Sequence, residues 1–269
     1  MRPTDTAQTA SGQHCDTLAV VTGTSRGLGA ALAHQLLGPA ACVIAIARQE
    51  SPALAAQARG TGARLHQLTG DLSDPAQLQR LCDEMIAALP ARAERMLLIN
   101  NAGTVAPIVA AEALQAEAIH LASQAMQLNI VAPMALTAAF LQASTGRSQD
   151  RCVLNISSGA GRNPMAGWAT YCTTKAALDM YTRVLKQEQA ALGVQGARVV
   201  ALAPGVVDTG MQGEIRAADP AAFPALGRFQ ALHADGQLSA PEHVARRILA
   251  YLARADFGQT EIDDIRNYD

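Results

Sequence analysis

From residue 17 onward the chain alternates short apolar or β-branched runs with longer stretches of helical character. The runs at 18–22, 42–47, 64–68, 96–99, 152–156 and 199–203 predict strands, and a weaker one at 260–263 predicts a seventh. They are largely continuous rather than alternating, as expected of strands covered on both faces. Between them, segments rich in Ala, Leu and Gln predict helices at 28–37, 75–89, 120–141, 175–192 and 241–253. Strands separated by helices imply βαβ units, and so a single doubly wound α/β domain of Rossmann type with a seven-stranded parallel sheet.

Two segments break this rhythm. Residues 1–16 are polar and rich in small side chains, which predicts a flexible tail ahead of a domain spanning 17–269. Residues 211–238 follow a strand and are rich in Ala, Gly and Pro with scattered charge. That stretch, within a segment of about 205–238, reads as a substrate loop or lid, or else as a plain surface excursion.

Composition narrows the function. The 269 residues are 49% hydrophobic and 16% charged, with a net charge of −2. That excludes a wholly disordered chain and argues against electrostatic binding of nucleic acid or anionic membranes. Aromatic residues, at 3%, are too few for a base-stacking platform. No apolar run reaches the roughly 18 residues of a membrane span, and the N-terminus lacks the apolar core of a signal peptide. Five cysteines without paired spacing read as small buried hydrophobes in a reducing compartment. The expectation is a cytoplasmic protein, and the scattered histidines suggest no metal.

The chemistry begins where the first strand ends, in Thr22-Gly23-Thr24-Ser25-Arg26-Gly27-Leu28-Gly29. Glycines at such a turn let backbone N–H groups approach a pyrophosphate at a helix N-terminus. The second strand closes on Ala47-Arg48 without the carboxylate that would bind free ribose hydroxyls. Arg48, with Arg26 nearby, suits a 2′-phosphate and therefore NADP(H). Further on, Tyr171 and Lys175 stand at i and i+4, on one helical face. An ammonium beside a phenol lowers its pKa toward the working range, so Tyr171 can protonate a carbonyl oxygen as hydride reaches carbon. A serine hydroxyl can bind that oxygen in the transition state.

Taken in order, TGxxxGxG, Asn100-Asn101-Ala102-Gly103, Ser158 thirteen residues before Tyr171, YxxxK and Pro204-Gly205 resemble the short-chain dehydrogenase/reductase family over nearly the whole chain after the tail. The resemblance implies a catalytic set of Ser158, Tyr171, Lys175 and Asn129. It implies a cofactor site of Gly23, Ser25, Arg26, Gly27, Leu28, Gly29, Arg48, Asp71, Leu72, Asn100, Ala102, Gly103, Tyr171, Lys175, Pro204, Gly205, Val207, Thr209 and Met211. Ser158 is preferred to its neighbour Ser157 for its interval to Tyr171.

Within the family, Asn155-Ile156-Ser157-Ser158, Gly167-Trp168-Ala169-Thr170-Tyr171-Cys172, the segment 203–212 and the ending around Glu261-Ile262-Asp263-Asp264 are similar to the sepiapterin reductases. That similarity implies reduction of a pterin side-chain ketone, a step of tetrahydrobiopterin biosynthesis. A C-terminal carboxylate would hold the pterin ring: Asp263 first, or Asp264 by one residue of slippage. Ser158, Trp168, Tyr171 and Met211 would complete the substrate site, Trp168 as a pocket wall or as a packing residue. Reduction of 1,2-diketones such as benzil, or of carbonyls generally, is the alternative, and a non-catalytic NADP sensor a remote one. A homodimer or homotetramer is expected, by packing of the two long helices.

Overall fold

A computed structural model describes residues 15–268. The seven strands form one parallel sheet in the order β3-β2-β1-β4-β5-β6-β7, with β1 at Cys15–Thr22, β2 at Ala41–Ala47, β3 at Arg64–Thr69, β4 at Ala93–Asn100, β5 at Asp150–Ile156, β6 at Arg198–Ala203 and β7 at Ile262–Asp264. Strand order reverses between β1 and β4, so a crevice opens above their C-terminal ends. β1, β4 and β5 are almost fully buried along their inner stretches. At the edge, β3 carries the half-exposed sequence Arg-Leu-His-Gln-Leu-Thr. The expected tail lies outside the described residues except for its last two: Cys15 and Asp16 open β1, where Cys15 is buried and stands opposite Ala93.

Helices α1 (Gly27–Leu36), α2 (Pro52–Thr61), α3 (Pro75–Ala88), α4 (Glu117–Met126), α5 (Ala132–Ser144), α6 (Ala169–Ala190), α7 (Gly210–Arg216), α8 (Leu226–Ala234) and α9 (Pro241–Leu252) cover the sheet. On one face Leu81, Met85, Leu136 and Phe140 pack against Val20, Ile44 and Leu98. On the other, Leu28, Leu32, Ile248 and Tyr251 pack against Val21, Ile99 and Leu202. Burying one such side chain contributes about 1.5–3 kcal/mol, so these two layers dominate the stability of the fold.

Several elements differ from expectation. α2 is absent from the sequence reading because its Ala-rich segment has few apolar positions; only Leu54 and Ala58 are buried, and Ser51 caps it by accepting from the Leu54 N–H. The helix expected at 120–141 runs 117–144 and is interrupted by a π turn at Gln127–Val131. This run also has the length and apolar composition of a membrane span, against the expectation that none exists, although Leu136 and Phe140 on it belong to the core. The helix expected at 175–192 starts six residues earlier, at Ala169, and so includes Tyr171. The 211–238 segment contains α7 and α8 rather than an open loop, folded around a third cluster of Val105, Trp168, Tyr171, Ile215, Phe223, Leu226 and Phe229.

Candidate active site

The C-terminal ends of β1, β4, β5 and β6 open into a cavity of about 970 Å³. One end is shaped by the turn after β1. Gly23 has φ +75°, a conformation an L side chain resists. Gly29, on the first turn of α1, lies so near the turn that a Cβ there would stand 2.3 Å from the Gly23 carbonyl oxygen. The strand end and helix start are thus packed backbone to backbone, and Arg26, Gly27 and Leu28 at the N-terminus of α1 open toward the cavity. Asn101 secures this turn, its side-chain amide donating to the Thr22 carbonyl at 2.9 Å while its backbone N–H reaches the Thr22 hydroxyl at 2.9 Å.

The cavity wall includes Gly23, Ser25, Arg26, Gly27, Leu28, Arg48, Asp71, Leu72, Ala102, Gly103, Pro204, Gly205, Val207, Thr209 and Met211, all anticipated from the sequence. Asn100 and Gly29 stand behind the wall. Asn100 is buried and donates to Thr137 Oγ1 (3.1 Å) and Asn155 Oδ1 (2.9 Å), so it ties β4 to β5 and α5 instead of facing a ligand. Arg26 forms a 3.6 Å ion pair with Glu214 of α7, both largely exposed. The residues fit a dinucleotide: a glycine cradle that a Cβ would fill, a helix N-terminus, and two cavity-lining arginines where a ribose phosphate would lie.

The catalytic candidates converge at the other end. β5 ends at Ile156, and Ser158 follows in extended conformation, its hydroxyl capping the next turn by accepting from the Ala160 N–H at 3.1 Å. One helical face of α6 brings Tyr171 and Lys175 beneath it, both buried. The Lys175 ammonium donates to the Ile156 carbonyl at 2.8 Å and lies 5.7 Å from the centre of the Tyr171 ring. Burial pushes the Tyr171 phenol up to about 12, with a hydrogen bond to Ser158 pulling the other way. Burial also brings Lys175 down to about 8, against the pull of Asp179. The phenol is therefore raised and not lowered, contrary to the sequence expectation, because desolvation dominates and Lys175 is not among the groups that act on it. At neutral pH the arrangement is a protonated phenol above a charged lysine.

Asn129 sits in the π turn, 1% exposed and outside the cavity lining. Its side-chain oxygen accepts from the Thr104 N–H at 2.9 Å, and its amide donates to the Thr104 carbonyl (2.9 Å) and Thr174 Oγ1 (3.0 Å). It clamps the loop after β4 to α6, one residue before Lys175.

The substrate end corrects one sequence expectation. Asp263 does not face the cavity. Its carboxylate accepts from Tyr251 Oη (2.9 Å), Tyr268 Oη (2.5 Å), Asn267 Nδ2 (3.1 Å) and the Asp264 N–H (2.8 Å). Burial works against its charge, but these donors, led by Tyr268, hold the carboxyl below the usual carboxylate range. The alternation of β7 turns Asp263 inward and leaves Asp264 at the cavity wall. There Arg266 engages both Asp264 oxygens, at 2.8 and 2.6 Å. Trp168 lines the cavity and also packs, edge-on to Tyr171 (5.2 Å between centres) and stacked on Phe223 (4.9 Å).

Met165, Ile215, Arg228, Phe229 and Arg266 also line the cavity, and sequence reading missed them. The spacing of Leu226 and Phe229, i and i+3 on what proves to be α8, was the available signal.

A sequence profile of the family described as short chain dehydrogenase matches residues 17–220. The chain is 40% identical over 246 residues to benzil reductase ((S)-benzoin forming) of Bacillus cereus, covering 90% of this chain and 96% of that protein. It is 34% identical over 250 residues to sepiapterin reductase of Rattus norvegicus, covering 88% and 92%. Among solved structures, that of the KRED1-Pglu enzyme superposes with a TM-score of 0.74 at 30% identity, covering 90% of this chain and 98% of that one.

Proposed function

The chain belongs to the short-chain dehydrogenase/reductase family and is an oxidoreductase, and from that premise we propose that it reduces one carbonyl of a vicinal diketone, with NADPH as its cofactor. The observation that carries the choice of substrate is the engagement of both C-terminal carboxylates. A pterin ring offers an amino group and a ring N–H, and needs a free carboxylate to receive them. Asp263 is bound by two tyrosines and an asparagine, and Asp264 by Arg266. Beside Tyr171 the cavity instead presents an apolar cluster of Met165, Trp168, Ile215 and Phe229, with Asn163 and Arg228 as polar neighbours in the lining. Such a cluster suits the flanking groups of an uncharged diketone. The benzil reductase relative supports the same choice.

NADPH, when bound, supplies the hydride. Arg48 and Arg26 would hold its 2′-phosphate, and the glycine turn its pyrophosphate. The Ser158 hydroxyl donates to the substrate carbonyl oxygen and fixes its position. Tyr171 passes its phenolic proton to that oxygen, turning C=O into CH–OH. The Lys175 ammonium then stabilises the phenolate left behind until it is reprotonated. Asn129 keeps Thr104 and Thr174 in register around this pair.

A pterin substrate remains the second reading. Asp264 lines the cavity, and its partner Arg266 is 67% exposed and so free to swing away. We also extend the proposal to a homodimer through α4, α5, the π turn between them and α6, whose outward faces expose Ile119, Val131, Met134, Met180 and Val184. The direct test of the activity follows NADPH absorbance with benzil and quantifies the hydroxyketone. One-to-one conversion is expected; NADPH that stays unconsumed with benzil and with smaller diketones overturns the reading.

A further inference from the structure

α6 carries a third buried ionisable group on the face that presents Tyr171 and Lys175. Asp179 follows Lys175 by four residues and is 1% exposed. One of its oxygens accepts a 2.5 Å hydrogen bond from the hydroxyl of Ser157, the residue beside Ser158. Among the described residues the other has no hydrogen-bond partner. That second oxygen faces the turn after β5: a Cβ on Gly161 would stand 3.0 Å from it, and 2.8 Å from the Lys175 backbone carbon. The Gly159–Gly161 turn is therefore pressed onto α6 and shields this carboxylate from water.

Burying a carboxylate with half its acceptor capacity unused is costly unless an opposite charge compensates it. Lys175 is 5% exposed, and its ammonium donates to a neutral acceptor, the Ile156 carbonyl. Asp179, four residues along the same face of α6, is the opposite charge that raises the lysine against burial, acting through space without a direct ion pair among the described residues. Burial is the largest influence on Asp179 and holds its carboxyl above the usual carboxylate range; the Ser157 hydrogen bond and the positive charges of Arg162, from the same turn after β5, Arg183, one turn further along α6, and Lys175 pull it back toward the ionised form.

We propose that Asp179, fixed by Ser157, is a positioning residue whose buried charge, one helical turn along the same face, keeps the Lys175 ammonium protonated beneath Tyr171. Ser157 thus acquires a role distinct from that of Ser158: one serine anchors the counter-charge, the other faces the substrate. The inference rests on the proposed use of the Tyr171–Lys175 pair. Its test does not depend on which carbonyl compound is reduced.

Lys175 and Lys186 are the chain's two lysines. Protein labelled with 13C at lysine Cε therefore gives two signals, assigned with Lys186→Arg. A pH titration of the Lys175 signal is compared among the parent protein, Asp179→Asn and Ser157→Ala. The parent midpoint is expected near 8. Asp179→Asn should lower it by about one unit, and Ser157→Ala should lower it by less, because the carboxylate stays but is less well held. The alkaline limb of the rate of carbonyl reduction should move with it. An unmoved midpoint in folded Asp179→Asn overturns the proposal, even if the rate falls, because a merely structural role would leave Lys175 untouched. If Asp179→Asn does not fold, an unmoved midpoint in Ser157→Ala overturns it. Absence of diketone turnover in the parent protein would instead count against the proposed substrate, while the lysine titration would still decide the role of Asp179.

Discussion

At the scale of single residues, the site is built from buried groups whose ionisation is set by desolvation. With the phenol of Tyr171 at about 12 and Lys175 at about 8, Tyr171 stays protonated across the neutral range while Lys175 is the group that titrates. The rate of carbonyl reduction should hold below pH 8 and fall as pH rises through about 8, as the ammonium loses its proton. A pH–kcat/KM profile checks this, and a rate that climbs through that range would contradict it. Tyr171→Phe should lower kcat by about 10²–10⁴-fold, the usual contribution of a positioned proton donor. NADPH affinity, measured by fluorescence titration, should stay nearly unchanged. Arg48→Asp should weaken NADPH binding by about 10–100-fold, the loss of a hydrogen bond to a charged group, and shift the preference toward NADH. Unaltered selectivity would mean that the phosphate is held elsewhere. The residues of these predictions were legible in the sequence because each carries a side-chain type in a fixed spacing. The balance between burial and charge on Tyr171 was not, since it depends on how completely α6 and the turn after β5 exclude water.

At the scale of elements, α6 and the α7–α8 segment are joined by aromatic packing. Trp168 stacks on Phe223 and lies 5.3 Å from Phe229, and a Cβ on Gly167 would stand 2.3 Å from the Ala222 carbonyl oxygen. The segment is thus seated directly on the N-terminus of α6. Phe223 is fully buried but does not line the cavity, so Phe223→Ala should act through packing alone. A loss of about 3–5 kcal/mol is expected for a buried phenylalanine. It should appear as faster amide exchange across residues 210–234 and a raised KM, with the exchange of β1 and β4 unchanged. The strands and most helices were readable from their apolar patterning. α7 and α8 were not, because their short, Ala- and Gly-containing segments bury few residues each and gain order mainly from the aromatic cluster they close.

At the scale of the whole molecule, the C-terminal residues complete the sheet and one wall of the cavity together. Asp263 holds Tyr251 of α9 and Tyr268 of the last segment, so the strand that it belongs to is locked while Asp264 and Arg266 remain at the cavity. Asp263→Ala removes the shared acceptor of two tyrosine hydroxyls and should cost about 1–3 kcal/mol or more per stranded partner. A lowered melting temperature reports it. The sequence carried both aspartates next to each other, and only the one-residue alternation of β7 decides which faces inward. The central claim is that this cavity serves a vicinal diketone and not a pterin. It is tested most directly by comparing kcat/KM for benzil and sepiapterin with NADPH, in the parent protein and in Asp264→Ala. Preference for benzil, little changed by the substitution, is the expected result. Preference for sepiapterin that collapses in Asp264→Ala would contradict it.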